Sequence, residues 1–146
     1  MNHMVLKTFK VYLLCEMAGT YSGIETGIGN NIFVKIEPVG GRHGPRIKVS
    51  NIRGKFSRSD YFVVTIAKYN PSVEGSGPQV INPRKYKVDV TNKELIRIKY
   101  WISSNFNILQ KMSQYLETEY HQPVETPTGH VMLNFSQLEK YLRPIL

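Results

Sequence analysis

From Thr91 to about residue 119, apolar side chains return at helical spacing: Leu95, Ile98, Ile102, Leu109, Met112 and Leu116, with Ile96, Phe106 and Tyr115 widening the stripe. Thr91 and Glu94 have the spacing of a capping box, in which each side chain satisfies the other's free backbone N–H. This run predicts one long amphipathic helix, and such a helix must bury its stripe against a second layer. The cations near its start, Lys93, Arg97 and Lys99, are poorly placed for the helix dipole and are expected to serve the surface.

The rest of the chain supplies strands for that second layer. Residues 4–15 mix β-branched, aromatic and basic residues without a helical stripe and predict a first strand. Residues 18–31 hold Gly19, Gly23, Gly27 and Gly29 and end in two asparagines, which predicts a loop or a loose hairpin end. Residues 32–37 alternate Ile32, Val34 and Ile36 against Phe33, Lys35 and Glu37, a strand that Pro38 stops.

Ile47 and Val49 alternate with Arg46, Lys48 and Ser50, so a strand with the two aliphatics inward would stand the cations and the serine outward. A turn is expected over 51–54, a central strand over 61–67, a connecting loop over 70–83 and a half-buried strand over 85–90. Near the C-terminus, 130–135 reads as a short strand and 137–142 as a short helix stopped before Pro144.

Together these elements predict an α+β domain: a mostly antiparallel sheet, one long helix packed on a face, and a short C-terminal helix. Its expected core is Val34, Ile36, Ile47, Val49, Phe62, Val64, Ile66, Val88, Leu95, Ile98, Ile102, Leu109 and Met112. At 146 residues the chain is read as one domain, 1–146.

Charge is distributed unevenly along it. The total is +8, but residues 1–41 balance three basic against three acidic side chains and residues 112–146 carry −2, so residues 42–111 carry +10. The densest part is RHGPRIKVSNIRGKFSRSD, from Arg42 to Asp60. Arg42, Arg46, Lys48, Arg53, Lys55 and Arg58 supply cations to neutralise phosphates, and Arg84, Lys85 and Lys87 would extend the patch if their strand lies alongside. Phe56, Tyr61, Ser50 and Asn51 would stack or hydrogen-bond, as in single-strand binders. The alternative is a solvated face that only keeps the protein soluble.

Other chemistry is sparse. Cys15 is the single cysteine, which excludes an intrachain disulfide and a cysteine-based zinc site. Gly27-Ile28-Gly29 lacks the Lys-Ser/Thr of a phosphate-binding loop and suits hairpin geometry. His43, beside Arg42 and Arg46, would suit a ribonuclease, but no second acid or base accompanies it. No carboxylate pair suggests acid–base work, the helical stripe is core, and neither cofactor nor metal is expected. The apolar runs are too short to span a membrane, and no signal sequence is evident, so a cytoplasmic protein is expected.

Two segments carry a family resemblance. Pro45-Arg46-Ile47-Lys48-Val49 and the helix YWISSNFNIL, with Trp101, Ile102, Asn105 and Leu109, resemble a small bacterial and phage domain-of-unknown-function family. That family has a Pro-His-x-His-Val strand and a C-terminal Trp-Ile helix. The likeness covers about residues 30–116 and leaves 121–146 as a strand–helix extension. Both strand histidines are replaced here, by Arg46 and Lys48, so no histidine chemistry carries over. The resemblance implies a small sheet with a packed helix and a phage or mobile-element setting, with the host cytoplasm as location; it implies no activity.

The expected function is therefore a non-enzymatic, basic nucleic-acid-binding protein, for RNA or DNA. The alternative is a protein–protein module, a virion component or an inhibitor of a host or defence protein, with contacts through edge strands, Tyr100, Trp101 and residues 121–146.

Overall fold

Five short strands form one antiparallel sheet in the order of the chain: β1 (Thr20–Tyr21), β2 (Phe33–Ile36), β3 (Arg46–Ser50), β4 (Phe62–Thr65) and β5 (Val80–Ile81). A computed structural model describes residues 19–38, 44–51, 56, 60–81, 88–121 and 137–145. The strands expected over 4–15 and 130–135 lie outside these residues.

The period-two pattern sets the register. Ile36 faces Ile47 and Val34 faces Val49 across β2–β3; Ile47 then faces Val64 and Val49 faces Phe62 across β3–β4. Val34, Ile36, Ile47, Val49 and Val64 are all fully buried on this inner face, each contributing about 1.5–3 kcal/mol of hydrophobic stabilisation. A one-residue slip would turn every one of them outward, so the register is strongly specified. In β4 the outward Val63 is buried as well as Phe62 and Val64, which accounts for its unbroken apolar sequence.

The α+β architecture stands as the sequence predicts, with two refinements in the helices. The helical run extends from Asn92 to His121 and is divided at Asn105 into α2 (Asn92–Ser104) and α3 (Phe106–His121). Thr91 and Glu94 close the capping box, with bonds of 3.1 and 2.9 Å. Ile98, Trp101, Ile102, Leu109, Met112 and Leu116 pack onto the sheet in one cluster. Ile96, read as part of the stripe, is instead exposed, and Val88 and Leu95 only flank the core.

Other corrections come from hydrogen bonds that no local pattern announces. The glycine-rich stretch expected as a loop contains β1 and a single helical turn, α1 (Gly23–Thr26), with Ser22 and Glu25 in a complete capping box. Gly27, at φ 78°, ends that turn and donates to the Gly23 carbonyl at 2.8 Å. Arg97, expected at the surface, folds back to the Ile28 carbonyl at 3.1 Å and also to that of Gly27.

The loop expected over 70–83 yields β5 at its end, and Asn70 organises its start by accepting from the Ser72 N–H and the Ser76 hydroxyl. Of the strand expected over 85–90, residues 88–90 are not in strand conformation and the remainder lies outside the described residues. At the C-terminus, 137–139 is helical and turns through Leu142, whose N–H bonds the Glu139 carbonyl.

Candidate functional site

The outward face of β2 and β3 carries the cations. Lys35 stands directly opposite Lys48, and Arg46 lies two residues from Lys48 on the same face. All three are half-buried. Lys35 was not among the residues singled out above, although its alternation with Val34 and Ile36 already places it outward.

The three cations are not equivalent. The Lys48 ammonium pairs with the Glu37 carboxylate at 2.9 Å and lies 4.4 Å from the Tyr61 ring centroid. Their side chains keep only 23% and 18% exposure, so this pair is desolvated far more than an ordinary surface ion pair. The ring adds attraction for the ammonium.

Asn51 ties two segments together instead of presenting its amide at the surface. Ser50 stands on the same face of β3 as the cations, as its alternation predicts, but is buried there. The Asn51 amide accepts from the Asp89 N–H at 2.7 Å and donates to the carbonyls of Asp89 (2.9 Å) and Asn31 (3.3 Å). It thereby ties the segment preceding α2 to the end of β3. Arg42, Arg53, Lys55, Arg58, Arg84, Lys85 and Lys87, together with His43, lie outside the described residues; Phe56 is half-buried.

The two residues nominated for a protein interface separate. Tyr100 is 60% exposed, whereas Trp101 is 2% exposed and belongs to the core, because the helical stripe turns its indole onto the sheet. Trp101 is thus not an interface residue of this fold. Exposed Ile96 sits one turn before Tyr100 and would be its natural companion on that face.

A second feature escaped sequence reading. Tyr21, Glu25, Thr26, Trp101, Glu139, Leu142 and Arg143 line a cavity of about 300 Å³. Three distant segments build it: β1–α1, α2 and the C-terminal turn. That turn is anchored by Ile145, whose N–H bonds the Thr26 carbonyl at 2.8 Å, and by Asn105. The Asn105 amide donates to the Arg143 carbonyl at 3.0 Å and accepts from the Arg143 N–H at 2.8 Å.

The Tyr21 and Trp101 rings meet at 6.4 Å and 55° on one wall of the cavity. Burial pushes the Tyr21 hydroxyl well above the usual phenol range, and the carboxylates of Glu139 and Glu25 reinforce this. Glu139 is itself raised, first by burial and then by Glu25, against a partial lowering from the Tyr21 hydroxyl. The only local sign of this site is the Ser22–Glu25 capping pattern, which fixes α1 but says nothing of Trp101 or Glu139.

No protein-family model, curated protein or solved structure matches this chain.

Proposed function

We propose that the protein binds nucleic acid, without catalysing a reaction on it, through the outward face of β2 and β3. The observation that carries this reading is the cluster of Lys35, Arg46 and Lys48 on adjacent strands, with two lysines directly opposed. Like charges opposed across a sheet repel, and these add nothing to the core. A phosphate backbone laid over them replaces repulsion with attraction and releases counterions.

Lys48 is the least available of the three, since Glu37 and Tyr61 already engage it. Arg46 and Lys35 are therefore the principal contacts within the described sheet. Arg42, Arg53, Lys55, Arg58, Arg84, Lys85 and Lys87 would extend the surface, a view supported by the +10 carried by residues 42–111. The family resemblance adds a phage or mobile-element setting, and hence a cytoplasmic one. Among the described residues, no helix is long and apolar enough to cross a membrane.

The test is the nucleic acid that accompanies the protein through purification at low salt. The expected result is an elevated ratio of absorbance at the nucleic-acid and protein maxima, removed by nuclease, with the extracted strands then sequenced. Protein that emerges free of nucleic acid and leaves labelled single and double strands unbound at low salt would sink the proposal.

A second reading, a protein–protein module, rests on the exposed Ile96 and Tyr100 of α2. It predicts a partner that stays bound after nuclease treatment and is lost in an Ile96→Glu, Tyr100→Ala variant. A partner retained by that variant excludes this face.

A further inference from the structure

We propose that Glu37 limits the affinity of the β2–β3 face for nucleic acid by withholding Lys48 from the strand. This rests on the nucleic-acid reading and adds the residue that sets how tightly that face binds. The Glu37 N–H donates to the Arg46 carbonyl at 3.0 Å, so the β2–β3 ladder continues one residue past Ile36 and sets Glu37 opposite Arg46. Alternation from Lys35 turns its side chain to the outward face. One carboxylate therefore stands among Lys35, Arg46 and Lys48, the three cations that would meet phosphates.

The carboxylate is held in position. The Glu37 backbone is fixed at its N–H by Arg46 and at its carbonyl by the hydroxyl of Ser113, a fully buried residue of α3. From there the side chain reaches diagonally to the Lys48 ammonium at 2.9 Å. The oxygen it uses, Oε1, is shut off from solvent. Salt screens such a pair much less than an exposed one. The Tyr61 ring, its centroid 4.4 Å away, also attracts the same ammonium.

Two consequences pull in opposite directions. In the free protein the carboxylate relieves the repulsion between Lys48 and Lys35, which stand directly opposed. Towards a strand it acts against binding, because it repels phosphate and keeps Lys48 occupied. A phosphate offers the same charge and the same kind of oxygen acceptor, so the two compete for one ammonium. Glu37 has the advantage, since it is already in place and desolvated. The native face thus presents Lys35 and Arg46, with Lys48 as a latent third contact. A carboxylate kept for the fold alone would stabilise the protein and leave binding unchanged.

The test is the salt dependence of binding to a labelled single-stranded oligonucleotide of mixed sequence. Native protein is compared with Glu37→Gln, with the double variant Glu37→Gln, Lys48→Gln, and with Glu74→Gln. Glu74 is exposed in the β4–β5 loop, so its variant removes the same charge outside the β2–β3 ladder. Glu37→Gln should bind more tightly, with a slope of log affinity against log salt steeper by about 0.7, from one gained phosphate contact. Its urea midpoint should fall, because the Lys48 charge loses its partner. The double variant removes the pair as a unit and should show the native slope, as should Glu74→Gln.

Far-UV circular dichroism checks that each variant is folded. A folded Glu37→Gln with the native slope overturns the proposal, as does an equal gain in Glu74→Gln, which would reduce the effect to net charge. A double variant with a slope shallower than native by about 0.7 overturns it too, because Lys48 would then already contact the strand. That last comparison decides the matter even where Glu37→Gln alone fails to fold. Each of these results leaves the nucleic-acid reading standing, whereas native protein that binds no strand overturns both.

Discussion

Two asparagines do more for this fold than their chemistry suggests. Asn51 and Asn105 each use a side-chain amide as a substitute peptide group, donating to and accepting from one distant residue, Asp89 and Arg143 respectively. Asn105 also donates to the Trp101 carbonyl at 2.9 Å, and it is 3% exposed. Asn105→Ala should therefore cost about 2–3 kcal/mol, since its partners are left unpaired in a part-buried site. A shift in the urea midpoint with unchanged slope checks this; a loss under about 0.5 kcal/mol would contradict the role.

Each asparagine's clamped residue lies 38 positions away in the chain, so no spacing rule reveals the pairing. Sequence reading could offer Asn51 only as a surface hydrogen-bonding group. Glu139 gives a second residue-scale expectation. Its folded titration lies above the unfolded value, so ionisation destabilises the fold as pH rises through the ordinary glutamate range. Glu139→Gln should match the native protein near pH 3 and exceed it in stability at pH 7. Equal denaturation midpoints at both pH values would contradict that sign.

Among the elements, the caps separate what was legible from what was not. Thr91 and Glu94 precede a long apolar stripe, and the helix start is where the pattern puts it. Ser22 and Glu25 have the same spacing, but they precede glycines and only one turn of helix, so composition pointed to a loop. Thr91→Ala should lower stability by about 1 kcal/mol, and Thr91→Ser should recover most of it in chemical denaturation. No change in either variant would mean that tertiary packing alone fixes the start of α2.

The division of the helical run at Asn105 was equally hidden, because Phe106 and Leu109 continue a helical apolar pattern across it. At the division the Asn105 amide donates to the Trp101 carbonyl one turn back and also docks Arg143. Gly27 completes that docking surface. A Cβ there would come within 1.9 Å of the Ile145 carbonyl oxygen, on a backbone at φ 78°. Gly27→Ala should therefore displace the C-terminal turn and open the cavity, seen as increased proteolysis after Lys140. Native protease resistance in that variant would show that the turn is held without Gly27.

At the scale of the molecule, the α+β class was legible because two periodicities divide the chain: alternating strands first, then one amphipathic run. The inner face followed from alternation at Val34, Ile36, Ile47 and Val49. Alternation also puts Arg46, Lys48 and Ser50 on the outer face, but it does not give the engagement of Lys48 by Glu37 and Tyr61 or the burial of Ser50, which depend on neighbouring segments. The cavity was illegible for the same reason at longer range, since Tyr21 and Glu139 lie far apart in the chain.

The role proposed for the β2–β3 face is that of an electrostatic surface for a polyanion. The most direct measurement is the salt dependence of binding to a labelled single strand, comparing the native protein with Lys35→Gln, Arg46→Gln. These positions leave the Lys48–Glu37 pair intact. The prediction is a native affinity that falls steeply with salt, and a variant slope of log affinity against log salt shallower by about 1.4, from two lost phosphate contacts. A folded variant with native affinity and native slope would contradict the claim.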